Sequence, residues 1–168
     1  MTQEAALIRN AKVSDLPELG KLAAGLVRQH HTTDPGRFFL PERVEDGYAS
    51  WLRREIRRPD AVVLVAELHG KVVGYSYAAL EPRDWNALLD DHGVIHDVFV
   101  AAEARRSGVG KALLDRMVSE LEARGAVRII LFTMVSNEAA QALFASRGFR
   151  GTMIEMTRNK PKDPGSAR

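Results

Sequence analysis

Apolar positions in this chain recur with two periods, and the places where one gives way to the other mark out the elements. Leu7-Ile-Arg-Asn is short and extended, and Ser14-Asp-Leu-Pro-Glu then reads as a helix start. Ser14 is the N-cap candidate and Pro17 falls in the first turn, with the helix predicted to run to about His30. Pro35, Gly36 and Pro41 break the pattern, and helical spacing returns over 44–58 through Tyr48, Leu52 and Ile56. Two runs rich in β-branched and aromatic residues, from Ala61 to Leu68 and from Val72 to Leu80, flank His69-Gly70-Lys71 and predict a hairpin.

A loop is expected over 81–93, carrying Pro82, Trp85 and the adjacent Asp90 and Asp91. Beyond it, Ile95 to Val100 reads as a buried strand, followed by a turn and a helix opening near Gly108. Val127 to Thr133 predicts a strand, Asn137 to Phe144 a helix ending at Gly148-Phe149, and the alternation over 150–158 a closing strand. The polar segment 159–168 is expected to be a disordered tail. Strands first, then strand, helix, strand, helix and strand, predict an α/β fold: one domain over 5–158, built on a mixed sheet with helices on both faces.

Composition removes several classes of function. The 168 residues include no cysteine, which excludes disulfides, thiolate metal sites and a cysteine nucleophile. With 24 basic and 22 acidic residues the chain is too near balance to point to nucleic acid. Arg53, Arg54, Arg57 and Arg58 read as a solvated helix face. No apolar run approaches the roughly twenty residues of a membrane span, and the first residues lack a secretory pattern, so a cytoplasmic protein is expected. His30-His31 lacks further ligands at metal-binding spacing and reads as surface loop, so no metal is predicted.

The chemistry concentrates after the buried strand. In Arg105-Arg106-Ser107-Gly108-Val109-Gly110-Lys111, two glycines let the chain approach a ligand closely at a helix start. The unpaired amides there, the helix dipole and two guanidinium groups all favour a phosphate or pyrophosphate. It is not a Walker A loop, which needs glycine at Arg105 and serine or threonine at Ala112. Nor is it a dinucleotide fingerprint, which needs a small residue at Leu113.

What remains, Arg-x-x-Gly-x-Gly after a strand, resembles the GNAT superfamily of acyl-CoA N-acyltransferases, with Arg105, Gly108 and Gly110 at the signature positions. A second block agrees in order and spacing: Asn137-x-x-Ala140-x-x-Leu143-Phe144, then Gly148-Phe149. The resemblance covers roughly 93–149. It implies a mostly antiparallel sheet whose two parallel central strands splay apart, acetyl-CoA as co-substrate, and homodimerisation. Carried over by position, backbone of Val98, Phe99 and Val100 would hold the pantetheine arm and residues 105–111 the pyrophosphate. Asn137 and Phe144 would border the far end of the cofactor.

Acyl transfer to an amine needs a base, because an ammonium has no lone pair with which to attack. Strand alternation puts His96 on the face of Val98 and Val100, and Asp97 on that of Phe99. An imidazole with pKa ~6.5 suits a base near neutral pH. Family members carry a glutamate or histidine credited with this role at the position of His96. Asp97 is the rival, since His-Asp-Val-Phe-Val is similar to Glu-Asp-Leu-Phe-Val of polyamine-type acetyltransferases, whose acidic pair faces substrate, although His96 here replaces the glutamate. Trp85, in the loop, and Glu155, on the closing strand, are candidates for contacting the acceptor, with Glu67 as a lesser one.

Phe144 departs from the family, where many members have a tyrosine that protonates the CoA sulfur. A thiol with pKa ~8.5 leaves tolerably as thiolate, so direct transfer in a ternary complex remains expected. The acceptor expected is a primary amine of a small molecule or a protein N-terminus. The competing reading is a non-catalytic acyl-CoA-binding or sensor module of the same fold.

Overall fold

The computed structural model describes residues 5–161. Its five strands are β1 (Leu7–Asn10), β2 (Ala61–Leu68), β3 (Lys71–Glu81), β4 (His92–Val100) and β5 (Ile129–Leu131). Its four α-helices are α1 (Leu16–Thr33), α2 (Val44–Glu55), α3 (Val109–Ala123) and α4 (Glu138–Ala145). The strands lie side by side in chain order. Every neighbouring pair is antiparallel except β4 and β5, which run parallel through the crossover helix α3.

The long apolar run of β2 reflects its place inside the sheet, covered on both faces. Val63, Val65, Tyr75 and Tyr77 face α1 and α2, whereas Val62, Leu64, Ala66, Ala78 and Ile95 face α3. The α3 side is closed by Leu113, Leu114, Met117 and Leu121, all fully buried and spaced as one helix stripe. Full burial of such a side chain contributes about 1.5–3 kcal/mol. The β2–β3 connection is a two-residue turn in which His69 and Gly70 both have positive φ (49° and 74°), the geometry that suits a twisted hairpin.

Several boundaries differ from expectation. Ser14 does not cap α1: it lies in a one-turn 3-10 helix, and Asp15 occupies the cap position. The Asp15 carboxylate accepts from the Lys12 amide at 2.7 Å and from both terminal nitrogens of Arg9 at 2.7 and 3.0 Å, which fastens the chain before the helix begins. Helix α1 runs on to Thr33, α2 stops at Glu55, and the strand expected over 127–133 is only three residues long.

The closing strand over 150–158 does not form. Its large apolar side chains are exposed at both parities, Met153 on one and Ile154 and Met156 on the other, so no single face is available to bury. This segment instead meets the α1–α2 connection, where Arg37 and Glu155 form an ion pair. Residues 159–161 have no regular structure, and the rest of the expected tail, 162–168, lies outside the described residues.

Candidate active site

Strands β4 and β5 pair at three positions, Gly93↔Ile129, Val94↔Ile130 and Ile95↔Leu131, and then part. A cleft of about 400 Å³ opens where they separate. One wall is β4 from Ile95 to Val100, and the other is residues 131–134 with Asn137, Leu143 and Phe144 of the α4 region. Arg105, Arg106 and Gly110 line it from the start of α3, and Leu26, Gln29 and His30 from α1.

The open edge of β4 supplies backbone groups. The Ala101 amide donates to Val73 of β3 at 2.8 Å, so by strand alternation the backbone of Phe99 also turns to β3. The amides and carbonyls of Val98 and Val100 turn the other way, into the gap. The Val100 carbonyl accepts from Arg105 Nε there at 3.0 Å. Phe99 contributes its ring instead, 5.5 Å beneath the Arg105 guanidinium. A Cβ at Gly25 would stand 3.0 Å from that ring, so glycine there lets α1 close over β4.

At the start of α3 the chain passes through Arg106 (φ 61°) and Gly108 (φ 86°), two left-handed residues that turn it sharply into the helix. No side chain caps α3, so its first amides keep their hydrogen-bonding capacity. Ser107 is turned away, its hydroxyl donating to the Ala104 carbonyl at 2.6 Å. Val109 is buried in the core, while the Lys111 side chain is exposed. Arg105 also reaches Gln29 Oε1 at 3.3 Å, which lays its guanidinium along the cleft.

The expected alternation fails at His96. In the β3–β4 register Tyr77 faces Asp97 and the next residue, Ala78, faces Ile95, which leaves His96 as the extra residue of a β-bulge. His96 therefore does not share the face of Val98. Its ring stacks on Tyr77 with centroids 5.3 Å apart and planes at 22°, and Nε2 meets Glu81 Oε1 at 2.9 Å, while the residue still lines the cleft. Tyr77 is anchored in turn: its hydroxyl donates to buried Glu55 at 2.7 Å, and Arg58 donates to the same carboxylate at 2.8 Å.

Asp97 points away from the cleft lining and accepts from the buried Tyr75 hydroxyl at 2.9 Å. Burial pushes the Asp97 carboxyl above the ordinary carboxylate range, against the Tyr75 hydrogen bond, which lowers it. Burial likewise raises Tyr75 well above a normal phenol and pushes Tyr48 up to about 12, with the charge of Asp97 adding to each.

The remaining expected residues divide. Asn137 lines the cleft, and its side-chain oxygen caps α4 by accepting from the Ala140 amide at 3.1 Å. Phe144 lines it too and packs edge-on against Phe149. Trp85 and Glu155 are not among the lining residues: Trp85 is 75% exposed beneath the Arg83 guanidinium, and Glu155 is held by Arg37. Glu67 is bonded to Arg9. Among the described residues, no cluster of three histidine or acidic side chains is placed to hold a metal ion.

Two residues stand in or beside the cleft that sequence reasoning passed over. His30, read as surface loop, stacks on Phe38 at 4.8 Å, and burial together with the charge of Arg37 pushes its pKa down. It continues the helical stripe Leu19, Leu22, Leu26, which was the available signal. Glu81 continues the strand face of Tyr75, Tyr77 and Ala79.

Comparison with known proteins agrees with this geometry. A sequence profile of the acetyltransferase (GNAT) family matches residues 26–149. The chain is 38% identical over 64 residues to the [ribosomal protein bS18]-alanine N-acetyltransferase of Escherichia coli K12; the match spans 38% of this chain and 43%, less than half, of that relative. It is 26% identical over 142 residues to the N-acetyltransferase YhfO of Bacillus subtilis, covering 84% of this chain and 88% of the relative. The fold matches the crystal structure of a mutant BH1408 protein from Bacillus halodurans with a TM-score of 0.79, at 22% identity, over 92% of this chain and 99% of the other.

Proposed function

Because the chain belongs to the GNAT acetyltransferase family, with acetyl-CoA as its acetyl donor, we propose that it is an N-acetyltransferase using His96 as base toward a primary amine. The acceptor proposed is a small molecule or a protein N-terminus, attacked directly in a ternary complex. The observation that carries this reading is that one cleft is lined by the open edge of β4, by the uncapped start of α3 and by an imidazole. Acetyl-CoA would lay its pantetheine arm along Val98 and Val100, with its pyrophosphate over the amides of 107–111 and the side chains of Arg105 and Arg106. Asn137 and Phe144, on the wall facing β4, would border the far end of the cofactor, where its sulfur lies.

In this scheme the neutral amine attacks the thioester carbonyl, the C–N bond forms, and the C–S bond breaks as CoA leaves as thiolate. His96 takes the proton released by nitrogen. General base assistance of this kind contributes roughly 10²–10⁴-fold. Asp97, hydrogen-bonded to Tyr75 beneath the bulge, is a positioning group for the strand. The name of the Escherichia coli relative makes an alanine-initiated peptide the first acceptor to try. A homodimer is part of the proposal, supported by the exposed apolar side chains of Phe132, Val135, Met153 and Ile154. A cytoplasmic setting is proposed with it; no helix among the described residues is long and apolar enough to cross a membrane.

The test is thiol release from acetyl-CoA by wild type and His96→Ala against amines, aminoglycosides and peptides, with acetyl-CoA binding measured by calorimetry. Turnover with one acceptor, lost in the variant while binding persists, is the expected result. Binding without turnover on any acceptor would favour the sensor reading, for which the one specific observation is that Phe144 has no proton to give. Absence of binding would overturn both.

A further inference from the structure

The bulge that exposes His96 also places it beside a carboxylate at the end of the neighbouring strand. Glu81 closes β3 on the face of Tyr75, Tyr77 and Ala79, and its Oε1 lies 2.9 Å from His96 Nε2. Below the imidazole, the Tyr77 ring is locked by the Glu55–Arg58 pair, so rotation of His96 is restrained on one face and at one nitrogen. A carboxylate only accepts hydrogen bonds, so Nε2 must carry a proton in this contact. The lone pair of the neutral ring is then on Nδ1.

We propose that Glu81 is the positioning residue of the base: it fixes the His96 tautomer and aims Nδ1 at the acceptor amine. This inference rests on the reading of His96 as base. The amine proton passes to Nδ1, giving an imidazolium whose charge the Glu81 carboxylate balances, and the proton then leaves to solvent. Glu81 touches neither substrate nor acetyl-CoA in this arrangement. It works only through His96.

The first arm of the test needs no acceptor. Imidazole ¹⁵N spectra are recorded on wild type, Glu81→Ala and Glu81→Gln at a pH where the ring is neutral, with His96→Ala to assign the signals. Wild type is expected to show one tautomer, protonated at Nε2. Glu81→Gln keeps an accepting oxygen and should preserve it, whereas Glu81→Ala should add the Nδ1-protonated form. Unchanged His96 signals in Glu81→Ala would overturn the inference.

The second arm is kinetic, using an alanine-initiated peptide or whichever amine in the panel turns over. Glu81→Ala is expected to lower kcat on the order of 10- to 100-fold, less than loss of the base itself, with KM for acetyl-CoA unchanged and partial recovery in Glu81→Gln. In a His96→Ala background the Glu81 substitution should cost nothing more. An equal further loss there would show that Glu81 does not act through His96, and the inference would fail while the base reading stood. Full activity in His96→Ala would remove the base reading itself.

Discussion

The two edges of β4 have opposite fates. Toward β3 the strand is paired from His92 to Val100 with one bulge, and aromatic and acidic side chains on that side are tied to one another through Tyr75, Tyr77, Asp97 and Glu55. Toward β5 it is paired only at Gly93, Val94 and Ile95, and the remaining backbone faces a cleft. One strand therefore supplies both the rigid floor and the binding edge. Stability belongs to the β1–β4 half with its helices, and ligand contacts belong to the side where pairing stops.

The sharpest way to test that division is to remove core from the closed side. Leu113 is fully buried in the cluster between α3 and the sheet, so Leu113→Ala should cost about 2–5 kcal/mol in chemical denaturation. Phe144→Ala, at a half-buried position on the open side, should cost clearly less. Equal losses would mean that the cleft wall is as much a part of the core as α3.

A smaller effect is expected where the binding edge meets α3. Gly108 has φ 86°, and a side chain there is strained even though no atom lies near its missing Cβ. Gly108→Val should destabilise by roughly 1–2 kcal/mol and weaken acetyl-CoA disproportionately, because the amides it sets are the proposed pyrophosphate contacts. Calorimetry beside a thermal melt separates the two. A melt shifted with affinity intact would detach this turn from cofactor binding.

A pH-dependent stability effect is expected on the closed edge. The Asp97 carboxyl is raised above its unfolded value by burial, so its stabilising contribution is complete below the ordinary carboxylate pKa and is lost as pH rises through the folded value. At neutral pH the ionised form is a cost. Asp97→Asn, which still accepts from Tyr75, should raise the melting temperature modestly at pH 7 and leave it unchanged near pH 3. A loss at pH 7 would show that the charge is needed by the bulge.

Most of the closed side was legible in the sequence, because its signals are local. The four residues of β1 and the hairpin at His69-Gly70 both follow from turn chemistry and period. The glycine-marked entry to α3 was legible for the same reason. What was missed depends on partners. Alternation cannot register one inserted residue, so His96 was assigned to the wrong face until the β3–β4 register revealed the bulge. The 150–158 segment alternates like a strand but has apolar side chains on both faces and no edge paired with it. Glu81 and His30 each lay on a readable stripe, but their meaning required knowing that the stripe ended beside the cleft.

The smallest effect concerns the open wall. Phe144→Tyr adds one hydroxyl to a ring that lines the cleft and packs against Phe149, so the fold should be indifferent to it. In the proposed scheme the departing sulfur needs no proton to leave, since a thiol of pKa ~8.5 makes its thiolate a tolerable leaving group that solvent can protonate afterwards. The chemical step should therefore change by less than about tenfold, measured by single-turnover acetyl transfer at saturating acetyl-CoA. A rise well beyond that would mean that expulsion of sulfur, rather than attack by nitrogen, limits this enzyme. The decisive deficit would then lie on the open wall, and His96 would govern a step that is already fast.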